Sequence, residues 1–308
     1  MFKISFWHGD FEFEETENGL CLIKYRGNSR NIEIPSSVNG KIVDSIGNEA
    51  FGEKKIESVV IPDGIESIGE FAFIENNLAE VVIPNSVKKI KMGAFENNKL
   101  TSVDIPNNVE FIGAFVFAGN DLTKVAIPNS VIEIECGVFG RNRLTEVDIP
   151  DGVSKIDKKA FSVNDINKLN IPNSVEVIGT KAFYNNELTS IVIPNSVTKI
   201  KTSAFQKNEL TEVILGNNVN VIEDLAFADN NLTVIFIPDG TRIESEAFGN
   251  NTFQIRQDYE SNNRKAATYV WNEETKKWQN QLKNLIDIRG RKNLCSLEYD
   301  KTKGSMIL

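Results

Sequence analysis

The side chains able to do bond-making chemistry are few and scattered. His8 is the only histidine in 308 residues, so no second imidazole can complete a metal site or a catalytic pair. Cys21, Cys136 and Cys295 are odd in number, far apart and without metal-ligand spacing, which argues against a disulfide framework or a zinc site. Cys136 stands just before Phe139 and reads as a packed small residue rather than a nucleophile. Glu146 and Asp148, two apart, would share one face of a strand; paired carboxylates are common on polar faces, and a hydrolase built on them is the least supported reading. The dipeptides Asp63-Gly64, Asp151-Gly152 and Asp239-Gly240 mark bends, not a phosphate-cradling loop. No catalytic residue, cofactor or metal is expected.

The elements that would position any site come from a repeat. Pro62, Pro84, Pro106, Pro128, Pro150, Pro172 and Pro194 recur every 22 residues, Gly216 occupies the next phase, Pro238 resumes it, and Pro35 precedes the series. A fixed period of this size means a solenoid, in which each coil buries its apolar side chains against its neighbours. In the unit Leu100-Thr-Ser-Val103-Asp-Ile105-Pro106-Asn-Asn-Val109-Glu-Phe-Ile112, the residues before the proline make a short strand with alternating inward and outward positions. Proline has no N–H for the ladder and ends that strand in each coil. The strands must be parallel, because every coil returns the chain in the same direction.

Two further columns repeat. Ten phenylalanines, Phe51, Phe73, Phe95, Phe117, Phe139, Phe161, Phe183, Phe205, Phe227 and Phe248, share one phase and predict a stacked aromatic spine. Small residues such as Ala94, Val116 and Ala160 precede them. Asparagine follows three residues later from Asn76 to Asn251, with Lys54 the exception in the first coil. An inward amide at a corner would satisfy backbone groups that the turn leaves unpaired, with stacked copies bonding along the axis.

Composition excludes other classes. Hydrophobic content of 41% and charged content of 25% are those of a folded protein rather than a disordered or membrane-spanning one. Residues 254–308 hold 11 Lys/Arg and 7 Asp/Glu, a net +4, which leaves −13 of the total −9 on the remainder. An acidic solenoid argues against a nucleic-acid groove, and no apolar stretch is long enough to insert in a membrane. Met1 to Glu15 does not read as a signal peptide, and the end, Gly304 to Leu308, is no sorting tail; the default is an intracellular protein. Residues 1–33 and 254–308 are expected to cap a solenoid spanning 34–253. Thr268–Val270–Trp271 and Lys276–Trp278 predict a hairpin with the tryptophans paired across it, and Gln279 to Ile288 an amphipathic helix.

The string L-x-x-V-x-I-P-x-x-V-x-x-I-x-x-x-A-F-x-x-N, repeated in ten units from Ile34 to about Phe253, resembles the BspA-like bacterial leucine-rich repeats. The opening from Leu22 through Pro35 to Phe51 is similar to that group's usual first repeat with its five-residue insertion. The resemblance implies a leucine-rich-repeat solenoid, a curved right-handed coil with one parallel β-sheet face. It also implies adhesion or protein recognition, often at a bacterial surface.

Binding is therefore sought on outward strand positions. One column runs Ser58, Glu80, Ser102, Lys124, Glu146, Lys168, Ser190, Glu212, Val234; the other runs Val60, Val82, Asp104, Ala126, Asp148, Asn170, Val192, Ile214, Phe236. The last coils would present Val192, Ile214, Val234 and Phe236 to solvent beside Glu212, an apolar patch of the kind that marks an interaction site. Strand positions favour such residues in any case, so a carboxy-terminal tail folded over the patch is equally compatible with it. In the middle coils Asp104, Glu146 and Asp148, with Lys124 and Lys168, would meet a charged partner or form a solvated face. The expected function is non-enzymatic binding of a protein partner through the strand face, with a structural spacer or self-assembling scaffold as the alternative.

Overall fold

The computed structural model describes residues 5–281, 298–300 and 305–307. It is a stack of coils whose strands before the proline pair in parallel with a 22-residue register, as in Glu146↔Lys168 and Val147↔Leu169. The inward side chains of these strands, such as Val147, Ile191 and Val213, are buried, and those between them face outward. Pairing is continuous from Ser190–Val192 through Glu212–Ile214 to Val234–Ile237. Elsewhere it is intermittent: Asp104 and Ala126 form an isolated bridge, and no strand pairs at Val82.

A second parallel ladder, absent from the sequence reading, runs along the V-x-x-I segment after the proline. Its two-residue strands include Ser67–Ile68, Lys89–Ile90 and Phe111–Ile112, then Glu133–Ile134 onward to Arg242–Ile243. Each coil thus bends twice, and the isoleucine of every small strand points inward at 5% exposure or less.

The aromatic spine forms as expected. Consecutive rings from Phe51 to Phe248 lie 5.0 to 5.9 Å apart with planes within 17° of parallel. The asparagine column completes it, by a bond pattern that differs from direct stacking of amides. Asn120 Nδ2 donates to the carbonyls of Phe117 in its own coil and Phe95 in the preceding one, at 3.1 and 3.0 Å. Its Oδ1 accepts the Leu100 amide at 3.0 Å. The amide therefore ties coil to coil through backbone, and Asn76, Asn98, Asn142 and Asn208 repeat the arrangement.

The corner needs that help because its backbone is strained. Residues two before and two after the phenylalanine lie in the left-handed region, for example Lys159 (φ 59°) and Val163 (φ 60°) around Phe161. Glycine fills these positions only in some coils, such as Gly93, Gly119 and Gly137. The missing proline has a separate cause. A Cβ at Gly216 would collide with the Pro194 carbonyl, so at this coil the chain passes too close to its neighbour for any side chain.

Both ends of the stack are covered. Ser5–His8, Phe11–Glu15 and Leu20–Tyr25 form an antiparallel meander, and Leu20–Tyr25 then pairs in parallel with Lys41–Ile46. Tyr25 and Phe11 place their rings 5.6 and 6.4 Å from Phe51, closing the spine. At the other end the helix Thr252–Ser261, which the sequence reading missed, lays Ile255 and Tyr259 on the last coil. Tyr259 donates to the Pro238 carbonyl and accepts the Thr241 amide. The hairpin Ala267–Asn272 with Lys277–Gln281 follows, Trp271 opposite Trp278 at 5.8 Å, as expected. Gln279 to Gln281 belong to its second strand rather than to a helix, and the rest of the expected helix, to Ile288, lies outside the described residues, as does Cys295.

Asn120→Ala would strand two carbonyls and an amide in the core, at a cost of about 2–4 kcal/mol; a chemical-denaturation midpoint no lower than wild type would contradict the bonding scheme. Val163 is a β-branched residue with φ 60°, so Val163→Asn should raise stability by about 0.5–1 kcal/mol in the same assay.

Candidate partner-binding face

Outward alternation along the strands places the two expected columns on one face, but their exposure is not what their residue types suggest. Val192, Ile214 and Val234 are half-buried and Phe236 keeps 9% of its surface. The last strand of the ladder, Val234–Ile237, is not an edge: Ala267–Asn272 pairs with it antiparallel, Val234 opposite Val270 and Phe236 opposite Thr268. These four residues therefore do not stand open to solvent as their positions in sequence suggested. Sequence reasoning found the hairpin but could not locate the strand it joins.

The open apolar side chains of the face lie in the early coils, where Val60 is 60% and Val82 79% exposed. Beside Val82 the two neighbouring coils leave a groove of about 360 Å³ between Glu80–Ile83 and Ser102–Pro106, with Asp104 on its far wall. Both valines were in the outward column from the start; only their exposure was hidden.

The charged candidates are brought onto one face without forming a chemical cluster. Asp104 and Asp148 are exposed and two coils apart, with Ala126 between them. Glu146 lies next to Lys168 in the ladder, its carboxylate 3.8 Å from the ammonium group. Lys124 is exposed, and Glu212 is half-buried between Ser190 and Val234. Among the described residues no group of three or more His, Cys, Asp or Glu could hold a metal ion. His8 is exposed on the first strand. Burial and the neighbouring Asp157 push the Cys136 thiol up, so it stays protonated and a poor nucleophile.

Coils of this length and pattern have known counterparts. The sequence profile of the BspA type leucine rich repeat region, in 6 copies, matches residues 24–144 and 132–255. The chain belongs to the BspA-type leucine-rich repeat family. Among solved structures, a leucine-rich repeat protein from Bacteroides ovatus is 20% identical, with a TM-score of 0.50 over 79% of this chain and 91% of its own. The pneumococcal vaccine antigen PcpA is 17% identical, with a TM-score of 0.58 over 80% of this chain and 78% of its own. These likenesses bear on the fold alone. No curated protein matches the sequence, and no helix among the described residues is long and apolar enough to cross a membrane.

The outward side of the second ladder in this BspA-type solenoid differs in one respect that matters for binding: its charges are largely engaged with each other. Lys155 reaches Asp157 at 3.0 Å and Glu133 at 3.6 Å, Lys88 reaches Glu66 at 3.1 Å, and Lys199 reaches Glu223 at 2.8 Å. Burial pushes the Glu223 carboxyl up, but Lys199 and two bonds from Thr202 outweigh it and hold the group below the usual carboxylate range. Such pairs stitch coils together and leave that side less to offer a partner.

A depressed folded-state pKa adds stability that is present above the unfolded value and lost as pH falls through the folded one. Glu223→Gln should therefore lower the melting temperature at neutral pH, with the difference vanishing in acid below the carboxylate range; a deficit that persists unchanged in acid would contradict the pairing.

Proposed function

We propose that this BspA-type repeat protein is a non-enzymatic recognition module that holds a protein partner against its strand face, at a bacterial surface as the family resemblance implies. The observation that carries the proposal is the contrast between columns. Inward positions repeat the same residue types in coil after coil, while the outward positions Val60, Val82, Asp104 and Glu146 differ from one coil to the next and are exposed. A fold that needed only to be rigid would gain nothing from leaving Val82 79% exposed beside a groove. Large apolar side chains flanked by charge are the usual anchors of protein interfaces, the apolar part supplying affinity and the charge orientation. The acidic balance and the lack of a clustered basic stripe on this face favour protein over nucleic acid as the partner.

The test is affinity capture from bacterial and host surface fractions with the intact chain and with a Val60→Glu, Val82→Glu double variant. The variant should lose a specific captured protein by about tenfold or more, while its melting temperature stays at the wild-type value and an Ile132→Glu control on the second-ladder side captures normally. Equal capture by the double variant would overturn the assignment of this face.

A further inference from the structure

The turn around each buried phenylalanine displays a third outward face, and over the first eight coils its charges are sorted along the stack; the ninth and tenth coils return to acid with Asp224, Asp229 and Glu246. The face consists of the residues three and two before the phenylalanine and one and two after it. Contacts show these positions to be contiguous across coils. Lys181 and Lys207, from neighbouring coils, hold their ammonium groups 5.2 and 5.5 Å from the Tyr184 ring, and a Cβ at Gly93 would run into the ring of Phe71 from the coil before.

In the first three coils the face carries Glu49, Glu53, Glu70, Glu75 and Glu96 and no base. In the fifth to eighth coils it carries Arg141, Lys158, Lys159, Lys181 and Lys207 and no acid. The fourth coil, between them, presents Ala114, Phe115, Ala118 and Gly119, without any charge. Opposite charges in these coils lie outside the four positions: Lys55, Lys99, Asp165 and Glu187 come four residues after the phenylalanine, Lys54 three after it, and Lys91, Glu135 and Asp157 four before it. Among the described residues, none of the ten sorted charges makes a salt bridge, whereas the second-ladder side is laced with them. Burial raises the Glu96 carboxyl above its ordinary value, while Arg141 across the uncharged coil lowers it and Glu75 in the preceding coil raises it by less.

An acidic block and a basic block placed at equal distances on either side of an uncharged centre form a self-complementary surface. A second copy laid antiparallel sets its basic block on the acidic block of the first, and its acidic block on the basic one. One contact of this kind is isologous and closes on itself. We propose that the turn face is a dimerisation surface for a second copy of this chain, with the two-fold axis passing through the fourth coil at Phe115 and Ala118. Seven steps of 5.0 to 5.9 Å from Phe51 to Phe205 make the face roughly 40 Å long, enough to bury the ~800 Å² per partner of a standard interface. The half-buried rings of Phe71 and Phe115 and the small residues between them give the centre an apolar, close-approaching strip. This surface is separate from the strand face, so dimerisation would leave Val60 and Val82 free and pair two recognition faces in one particle.

Sedimentation velocity on the intact chain tests the arrangement. Wild type should show a monomer–dimer equilibrium without larger species, its dissociation constant rising about tenfold or more between about 0.05 M and about 0.5 M salt. Glu49→Lys, Glu53→Lys, Glu70→Lys and Glu75→Lys together make both blocks basic, and Lys158→Glu, Lys159→Glu, Lys181→Glu and Lys207→Glu together make both acidic; each variant alone should be monomeric. Mixed in equal amounts, the two should form a heterodimer, a rescue that damage to folding cannot mimic, and all species should melt as wild type does. A wild type that stays monomeric into the high micromolar range, a reversed variant that dimerises as well as wild type, or a mixture that stays monomeric would overturn the proposal. Species that keep growing with concentration would overturn the two-fold arrangement.

Discussion

The whole stack depends on what becomes of the backbone polar groups at the phenylalanine corner. Two residues per coil turn through the left-handed region there; the corner amides bond to carbonyls of the next coil, as Phe95 N–H does to Val116, but the carbonyls of phenylalanines such as Phe73, Phe95 and Phe117 are left out of that ladder. The asparagine amide completes that ladder. With two donors and one acceptor it takes up the phenylalanine carbonyl of its own coil, the phenylalanine carbonyl of the coil before, and the leucine amide that opens its own coil. No other uncharged side chain of that length offers both functions in one plane. Because the bonds cross between coils, the corner cannot form in an isolated repeat, and the stacking of Phe95 on Phe73 and the pairing of Ile90 with Ile68 form with it.

The same device explains which parts of the molecule could be read from its sequence. Phenylalanine, asparagine and proline recur because each has one physical task that no substitute performs, and the parallel stack, the aromatic spine and the inward amides all followed from them. The second ladder was not legible because its strands are two residues long and Val109-x-x-Ile112 has no β-period of its own. The helix Thr252–Ser261 escaped notice because only Ile255 and Tyr259 among its long side chains are buried. Left-handed corners at Val163, Lys181 and Leu225 use residues that do not look like turn formers, because bonds to adjacent coils hold them there. For the candidate face, alternation told which residues point outward. It could not tell that Ala267–Asn272 joins the ladder beside Phe236, since that pairing links segments some thirty residues apart.

With the interior fixed by repetition, the outside divides into three sides with different chemistry. The second-ladder side pairs its charges across coils and contributes to cohesion. The strand side leaves Val60 and Val82 bare next to Asp104 and a groove, which suits recognition of a protein. The turn side sorts its charges into blocks. Substitution can alter each side without touching the core, the advantage of a solenoid over a fold in which site and core share residues.

Native-state hydrogen exchange resolved to single amides tests the corner most directly. The amides of Leu100, Leu122 and Leu144, which donate to asparagine side chains rather than to any strand or helix, are buried in the central coils. If the account is right, they exchange as slowly as the ladder amides of Asp157 and Gly179 and open only when several coils unfold together. Exchange at the rate of surface turns, with the ladder amides still protected, would show that the asparagine bonds do not hold the coils together.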